Sequence, residues 1–423
     1  MGSEAYPLRV LIIGAGSAGL LTAQVGIACT VFEQDTGFFQ RPRDWNYGIY
    51  WAQSRLDECL TPDLRALVKS VQTDPSYTPS ADSIMPLHNG KTGELMRNIP
   101  APYSLRLRRK RWLQLLSKNV DIKWGKRVTC FEVAGGSVTL TFTDGTRETG
   151  DLVVGAEGAH SPTREFLLGR DAELIPSRIV ASVSIVTHSR EAALAMRSLH
   201  QRYSLSFHPN NTFTWHSIHD CSSEDPAEWT WMVMQTWPTD EPTNLTTSED
   251  VLNDMYERGK AFGPPFREAF LTIPKDTYVW HNRLSYWATK PWDSRNGLIT
   301  LAGDAAHPMT FRESPPSSCI PVLTVVTRED RGQGLNNAIT DAAELLVQLR
   351  AMKSHTHDEL ATAVKRYETD LWPRGNEAVL ASLENTNAVH DWANVLQSPL
   401  FTAGLARTAK TDDIANGNAL AAS

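Results

Sequence analysis

The segment Gly14-Ala15-Gly16-Ser17-Ala18-Gly19 constrains this chain more than any other feature. It is a G-x-G-x-x-G turn between two apolar runs, Leu8 to Ile13 and Ile27 to Glu33, and reads as strand, glycine turn, helix, strand. Gly14 permits a tight turn out of the strand, Gly16 lets backbone approach a pyrophosphate, and Gly19 lets the helix pack closely on the sheet. Free N–H groups at the helix N-terminus then face the anion. Glu33, ending the second strand, is placed to accept bonds from both ribose hydroxyls, and its charge repels a 2′-phosphate. The unit is expected to bind FAD or NAD in preference to NADP. The bland alternative is a purely structural turn, which the flanking strands, helix and acid outweigh. Gly14 and Glu33 are only 19 positions apart. This predicts a first helix about one turn short, either truncated in the protein or shortened by a missing exon edge.

The remaining chain reads as mixed α/β. Short strands are expected at Val128–Val133, Ser137–Phe142 and Gly150–Val154, with Asp144-Gly145 as a hairpin turn. Residues 175–290 are rich in Trp, Thr and Pro, with strand-like pieces at Thr212–His219 and Trp229–Thr236. Gly297–Gly303 is a further buried strand, and residues 334–350 and 358–397 carry helical spacing of apolar residues. The tail from about residue 405 lacks aromatics and is expected to be disordered. Lys plus Arg number 41 against 48 Asp plus Glu, a net charge of −7, which argues against general nucleic-acid binding. The five cysteines are scattered without CxxC or Cys/His ligand spacing, so neither a disulfide scaffold nor a metal site is expected. No secretory leader and no apolar run of about 18 residues is present, so a cytoplasmic chain without a membrane span is the expectation.

Two further motifs follow strands. Gly155-Ala156-Glu157-Gly158-Ala159-His160-Ser161-Pro162-Thr163-Arg164 comes first, and Gly303-Asp304-Ala305-Ala306-His307-Pro308 much later. With the glycine turn, they resemble the class A FAD-dependent monooxygenases, the family of para-hydroxybenzoate and salicylate hydroxylases and many fungal pathway enzymes. The resemblance covers roughly residues 8–395. In the family the first motif reads DGxxSxxR, and Glu157 stands here in place of Asp. By the same resemblance Asp304 is the ribityl ligand of FAD; a helix N-cap is its simplest alternative. His307 reads as a structural hydrogen-bonder, and Arg164 as either a surface ion-pair partner or a brace for the groove. In Ser104 to Leu113 the family's flavin-contacting arginine matches Arg109 best, with Arg108 and Arg111 as alternatives. Gly48 fits a backbone contact after the acid-ending strand, and Val128 a position packing near adenine. Arg331-Gly332-Gln333-Gly334-Leu335-Asn336 resembles the loop closing on the flavin ring, giving Gly332, Gly334, Leu335 and Asn336 as cofactor contacts.

The resemblance implies a three-layer Rossmann-like FAD-binding domain, residues 1–174 and 291–350, interrupted by a mostly β substrate domain, 175–290. Helices at 351–404 and a disordered tail, 405–423, complete it. It implies NADPH or NADH as transient reductant, O2 as co-substrate, and hydroxylation or epoxidation of an electron-rich aromatic or polyketide-like small molecule in fungal secondary metabolism. Alternatives are a reductase- or halogenase-like flavoprotein, or an inactive gene-model variant. The Trp229-Thr230-Trp231-Met232 run begins like a halogenase motif but lacks its Ile-Pro. His208, Trp215, His216, His219, Trp231 and Trp237 are candidate pocket groups, and no catalytic base is legible. Between His307 and Arg331 lie 23 residues, of which 312–330 exceed the family spacing. Retained intron sequence is the preferred explanation, and it predicts an undocked surface excursion.

Overall fold

The computed structural model describes residues 8–24, 27–38, 40, 44–309 and 333–405. The 312–330 excess, Gly332 and the tail beyond Leu405 lie outside the described residues. Strand Val10–Ile13 is wholly buried, as its unbroken apolar run requires of a central parallel strand. It pairs in parallel with Cys29–Glu33 on one side and Leu152–Gly155 on the other. Ile122–Trp124 and Ile299–Leu301 complete a five-stranded parallel sheet. Successive side chains of the central strand point to opposite faces. Ile12 lies beneath Gly19 of helix Ser17–Ala23, while Leu11 lies against Gly150 of the three-stranded antiparallel sheet 128–150. Phe32 stacks on Phe142 across the same boundary, with ring centroids 4.8 Å apart. Helices, parallel sheet and antiparallel sheet therefore form three layers around one apolar core. The helix Ser17–Ala23 has seven residues, the short first helix expected from the spacing.

A seven-stranded sheet stands beside this unit, in the order 279–286, 175–187, 230–238, 213–220, 203–207, 84–89, 95–100. The last two strands amend the sequence-based division, which assigned residues 1–174 wholly to the dinucleotide-binding part. Ile84–Asn89 pairs in parallel with Tyr203–Phe207 and carries Leu95–Pro100 at the sheet edge. Pro86 and the run of four buried residues in Ile84–Asn89 hide any period-two signature there. One face of the sheet carries Val183, Trp215, Met232, Met234 and Trp280. The opposite face carries Ile218, Trp231 and Val233 beneath helices Ser248–Gly259 and Phe266–Leu271.

The C-terminal part is helical: Gly334–Arg350, then the 33-residue His357–Val389, then a tight turn at Val395–Gln397 and a short helix Pro399–Ala403. The helical spacing read over 358–397 falls on the long helix to Val389 and the turn Val395–Gln397. His390 leaves the long helix at its end, its Nδ1 2.7 Å from the Thr386 carbonyl and its Nε2 2.7 Å from Thr236 Oγ1 of the large sheet.

Candidate active site

The C-terminal ends of the parallel strands face the apolar side of the seven-stranded sheet, and a cleft lies between them. Ligands of open α/β sheets bind outside the carboxyl ends of the strands. Gly14, Gly16, Glu33, Arg109, Glu157, Asp304, Gly334 and Leu335 all line this cleft, although nearly 290 residues separate Gly14 from Asp304. Gly19, Gly48, Val128 and Asn336 do not line it.

Gly14 has φ +105°, and a Cβ there would lie 2.5 Å from the Ala156 carbonyl oxygen, so only glycine lets the two loops close on each other. Gly16 meets nothing nearer than 3.9 Å, so its face is bare backbone turned to the cleft. Glu33 holds this turn from the side. One carboxylate oxygen accepts the Ala15 N–H at 2.8 Å and the other the Asp35 N–H at 2.9 Å.

Glu157 is turned onto its own loop. It accepts from Ser161 Oγ at 2.8 Å and from the Thr163 hydroxyl, and burial raises its pKa. Ser161 in turn caps the next helix, accepting the Arg164 N–H at 2.9 Å. Arg164 is a brace and no surface residue. It is 1% exposed, donates to the carbonyls of Ala159, Ala172 and Ala305, and lies over the Trp287 ring at 5.1 Å. One guanidinium thereby joins the two motif loops, and burial lowers its pKa to about 10.

Beneath Asp304 lies a buried ionic cluster that sequence reasoning missed apart from His307. Asp341 accepts the Gly303 N–H at 2.7 Å, sits 2.6 Å from His307 Nε2, and accepts from Arg374 Nη1 at 2.8 Å. Burial alone would raise the Asp341 pKa; the His307 and Arg374 charges overcome that and hold it at about 2. Gly303 has φ +61°, so the carboxylate fixes a turn that non-glycine residues resist, and with it the place of Asp304. Asp341 and Arg374 lie on different helices with no local signal linking them.

Of the loop contacts, Asn336 acts at a distance from the cleft. Its Oδ1 accepts the Tyr50 N–H at 2.8 Å and its Nδ2 donates to the Gly48 carbonyl at 3.0 Å, tying the 334–350 helix to the 46–52 segment. Gly48 leaves room for the Tyr50 ring, which a Cβ would meet at 2.5 Å. Val128 is core, paired with Phe142. Arg108 and Arg111 are neutralised by Asp44 and Asp220. Arg109 lies over the Trp45 ring at 5.2 Å, with its Nε lacking a partner.

Of the six candidate pocket groups, only Trp215 lines the cleft. His216 packs against Phe266 and Phe270 on the far face, Trp231 is core there, and Trp237 stacks on His281. His208 reaches the Ala261 carbonyl, and His219 is held between Asn46 and Asp44. Arg106, Trp45, Asn46, Tyr47, Val183, Met232, Met234 and Trp280 also line the cleft and were not singled out from the sequence. Strand Phe213–Asp220 is buried on both faces over seven of eight residues, so no alternation marks which side chains face the cleft.

A family model described as FAD binding domain matches residues 106–316. "FAD-dependent monooxygenase cctM" from Talaromyces islandicus is 47% identical over 95% of this chain and 98% of its own. The chain belongs to the FAD-dependent monooxygenase family. "FAD-dependent monooxygenase phnB" from Penicillium herquei is 32% identical, over 94% of each chain. The crystal structure of Klebsiella pneumoniae HpxO complexed with FAD and uric acid has the same fold, with TM-score 0.71 and 18% identity over 96% of this chain and 95% of the other. FAD is accordingly the cofactor of this oxidoreductase, and the bare backbone at Gly16 and the run of the cleft from Gly14 past Asp304 to Trp280 fit it. Among the described residues no helix is long and apolar enough to cross a membrane, and no cluster of His, Cys, Asp and Glu could hold a metal ion.

Proposed function

We propose that this chain is an NAD(P)H- and O2-dependent monooxygenase that hydroxylates or epoxidises an electron-rich aromatic or polyketide-like small molecule in fungal secondary metabolism. The observation that carries this reading is the continuity of the cleft, which runs from the Gly14 turn to the apolar sheet face of Val183, Trp215, Met232, Met234 and Trp280. When bound, FAD supplies hydride acceptance and O2 activation, and the protein supplies orientation and electrostatics. Gly14, Gly16 and the N–H groups after them would hold the pyrophosphate, Glu33 the adenosine ribose and Asp304 the ribityl chain. Gly334 and Leu335 open a helix at the cleft with no acidic residue in its first turn, so its N-terminal N–H groups favour negative charge on the flavin ring. The apolar sheet face would bind the substrate and exclude water. Within this proposal, residues 1–174 and 291–350, less the 84–100 hairpin, form the cofactor part, and 175–290 with that hairpin form the substrate part.

Two measurements check it. Purified protein supplied with FAD should oxidise NADPH or NADH faster in the presence of some members of a phenolic panel, with oxygen consumed and a hydroxylated product. Absence of nicotinamide oxidation with every phenol, in protein that retains FAD, would favour a flavoprotein of another kind. Glu33→Ala should weaken FAD binding by about 1.5–3 kcal/mol, the range for hydrogen bonds to charged groups, or roughly 10- to 150-fold in Kd. Unchanged affinity in a fluorescence titration would remove Glu33 from the site.

A further inference from the structure

The cleft beside Trp215 carries a buried charge that has no counter-ion among the described residues. Arg106 makes no salt bridge among the described residues and is 1% exposed, yet it lines the cleft. Its Nε donates to Ser217 Oγ at 3.2 Å and its guanidinium lies 4.7 Å from the centre of the Trp215 ring, while its Nη1 is buried without a partner. Two of its neighbours in the sequence behave differently. Arg108 and Arg111 share Asp44 and Asp220 as counter-ions outside the cleft, whereas Arg109 also lines the cleft over a ring, that of Trp45, with its Nε unpartnered. The carboxylates lining the cleft are Glu33, Asp35, Glu157 and Asp304, all carried by the loops at the parallel-strand ends. Trp215 packs on the Arg106 guanidinium, and Val183, Met232, Met234 and Trp280 line the cleft on the same sheet face without an anionic or strong acceptor group. Asn46, which shares Ser217 with Arg106, has its Oδ1 engaged by His219.

A buried donor without a partner costs free energy, more so when charged, and is retained where a ligand completes it. We propose that Arg106 is the specificity-determining anchor for an ionised oxygen of the substrate, held beside an aromatic body packed on Trp215, Met232 and Met234. The assignment rests on the monooxygenase reading above and extends it: the substrate is taken as its phenolate or enolate. A short charge-assisted bond to Nη1 lowers the energy of the anion relative to the neutral hydroxyl. An ionised oxygen also raises electron density at the ring carbons ortho and para to it, so the same residue that selects the substrate prepares it.

The test uses FAD-loaded protein with 4-nitrophenol and its methyl ether, 4-nitroanisole, as matched probes. Wild type should bind the phenol at least tenfold more tightly than the ether above the phenol's ionisation pH. The ratio should fall towards one as the pH drops below it. Arg106→Gln should lose the preference and its pH dependence while keeping its FAD, and Arg106→Lys should restore part of both. In a crystal of wild type with 4-nitrophenol, the phenolate oxygen should sit within hydrogen-bond distance of Arg106 Nη1. Equal binding of the two probes by wild type would overturn the assignment, as would a phenolate oxygen away from Arg106. Loss of FAD from both variants would assign Arg106 to the cofactor. Retained FAD and NAD(P)H oxidation with no phenolate preference would sink this inference and leave the monooxygenase reading standing.

Discussion

Asp341→Asn is expected to lower the free energy of unfolding by about 3–5 kcal/mol, the usual loss when one partner of a buried ion pair is removed. The carboxylate is fully buried and serves three partners at once: the Gly303 N–H, His307 and Arg374. Asparagine keeps the shape but leaves Arg374 with only Asp370 as counter-ion, and Arg374 Nη2 already lacks a partner. The Gly303 turn loses its charged acceptor, so FAD content should fall together with stability. The pH dependence follows in sign. A carboxyl whose pKa is about 2 in the folded protein, against an ordinary value of 3.8, stabilises fully above about pH 4. That contribution is lost as the pH falls towards 2, because the unfolded chain binds the proton first. Urea unfolding at pH 7 and pH 3 should therefore show wild type converging on the variant at the lower pH. A difference below about 1 kcal/mol at pH 7 would mean that the cluster carries little.

Gly14→Ala should abolish FAD retention and destabilise the apo-protein. Its φ of +105° is one that L-residues rarely adopt, and the new Cβ would stand 2.5–2.9 Å from backbone atoms of Ala156 and Glu157. Backbone cannot rotate away as a side-chain tip can, so strain of about 1–3 kcal/mol adds to an overpacking cost of similar size. Gly16→Ala separates the two effects. Its Cβ meets only an ordinary contact at 3.9 Å, so the apo-fold should be unchanged while the added methyl obstructs the pyrophosphate's approach. Thermal unfolding without FAD should rank wild type and Gly16→Ala together, above Gly14→Ala. FAD titration should rank both variants far below wild type. A Gly14→Ala protein that unfolds like wild type and keeps its flavin would show that the two loops need not close.

The residues legible in the sequence are those whose task is imposed by local backbone. Gly14 and Gly16 are demanded by a turn and a close approach, and Gly303 and Asp304 by a loop after a buried strand. Such demands need no knowledge of the rest of the chain. Asp341 and Arg374 act through each other across 33 residues, and nothing in the periodicity of a helix marks such an interior ion pair. Arg164, given as a possible brace, reaches Ala305 141 residues on. Arg106 was hidden for a different reason. It sits in the basic run Arg106 to Arg111, and only Asp44 and Asp220, distant in sequence, decide which of those charges is neutralised. The aromatic wall was opaque because strand Phe213–Asp220 is covered on both sides. Trp215 and His216 are equally buried, and only the neighbouring layers decide that the first faces the cleft and the second a helix. The 84–100 hairpin joined the wrong part of the chain in the reading from sequence for a related reason, since its strand pairing with Tyr203–Phe207 spans more than a hundred residues.

That one FAD spans the cleft from the glycine turn to the apolar sheet face is tested most directly by a crystal structure of the FAD complex. The adenosine ribose should lie on the Glu33 oxygens and the ribityl chain beside Asp304. The flavin ring should lie against Gly334 and Leu335, with its open face towards Trp215, Met232 and Met234. A flavin ring found away from that face, or an adenosine bound elsewhere than at Glu33, would contradict it.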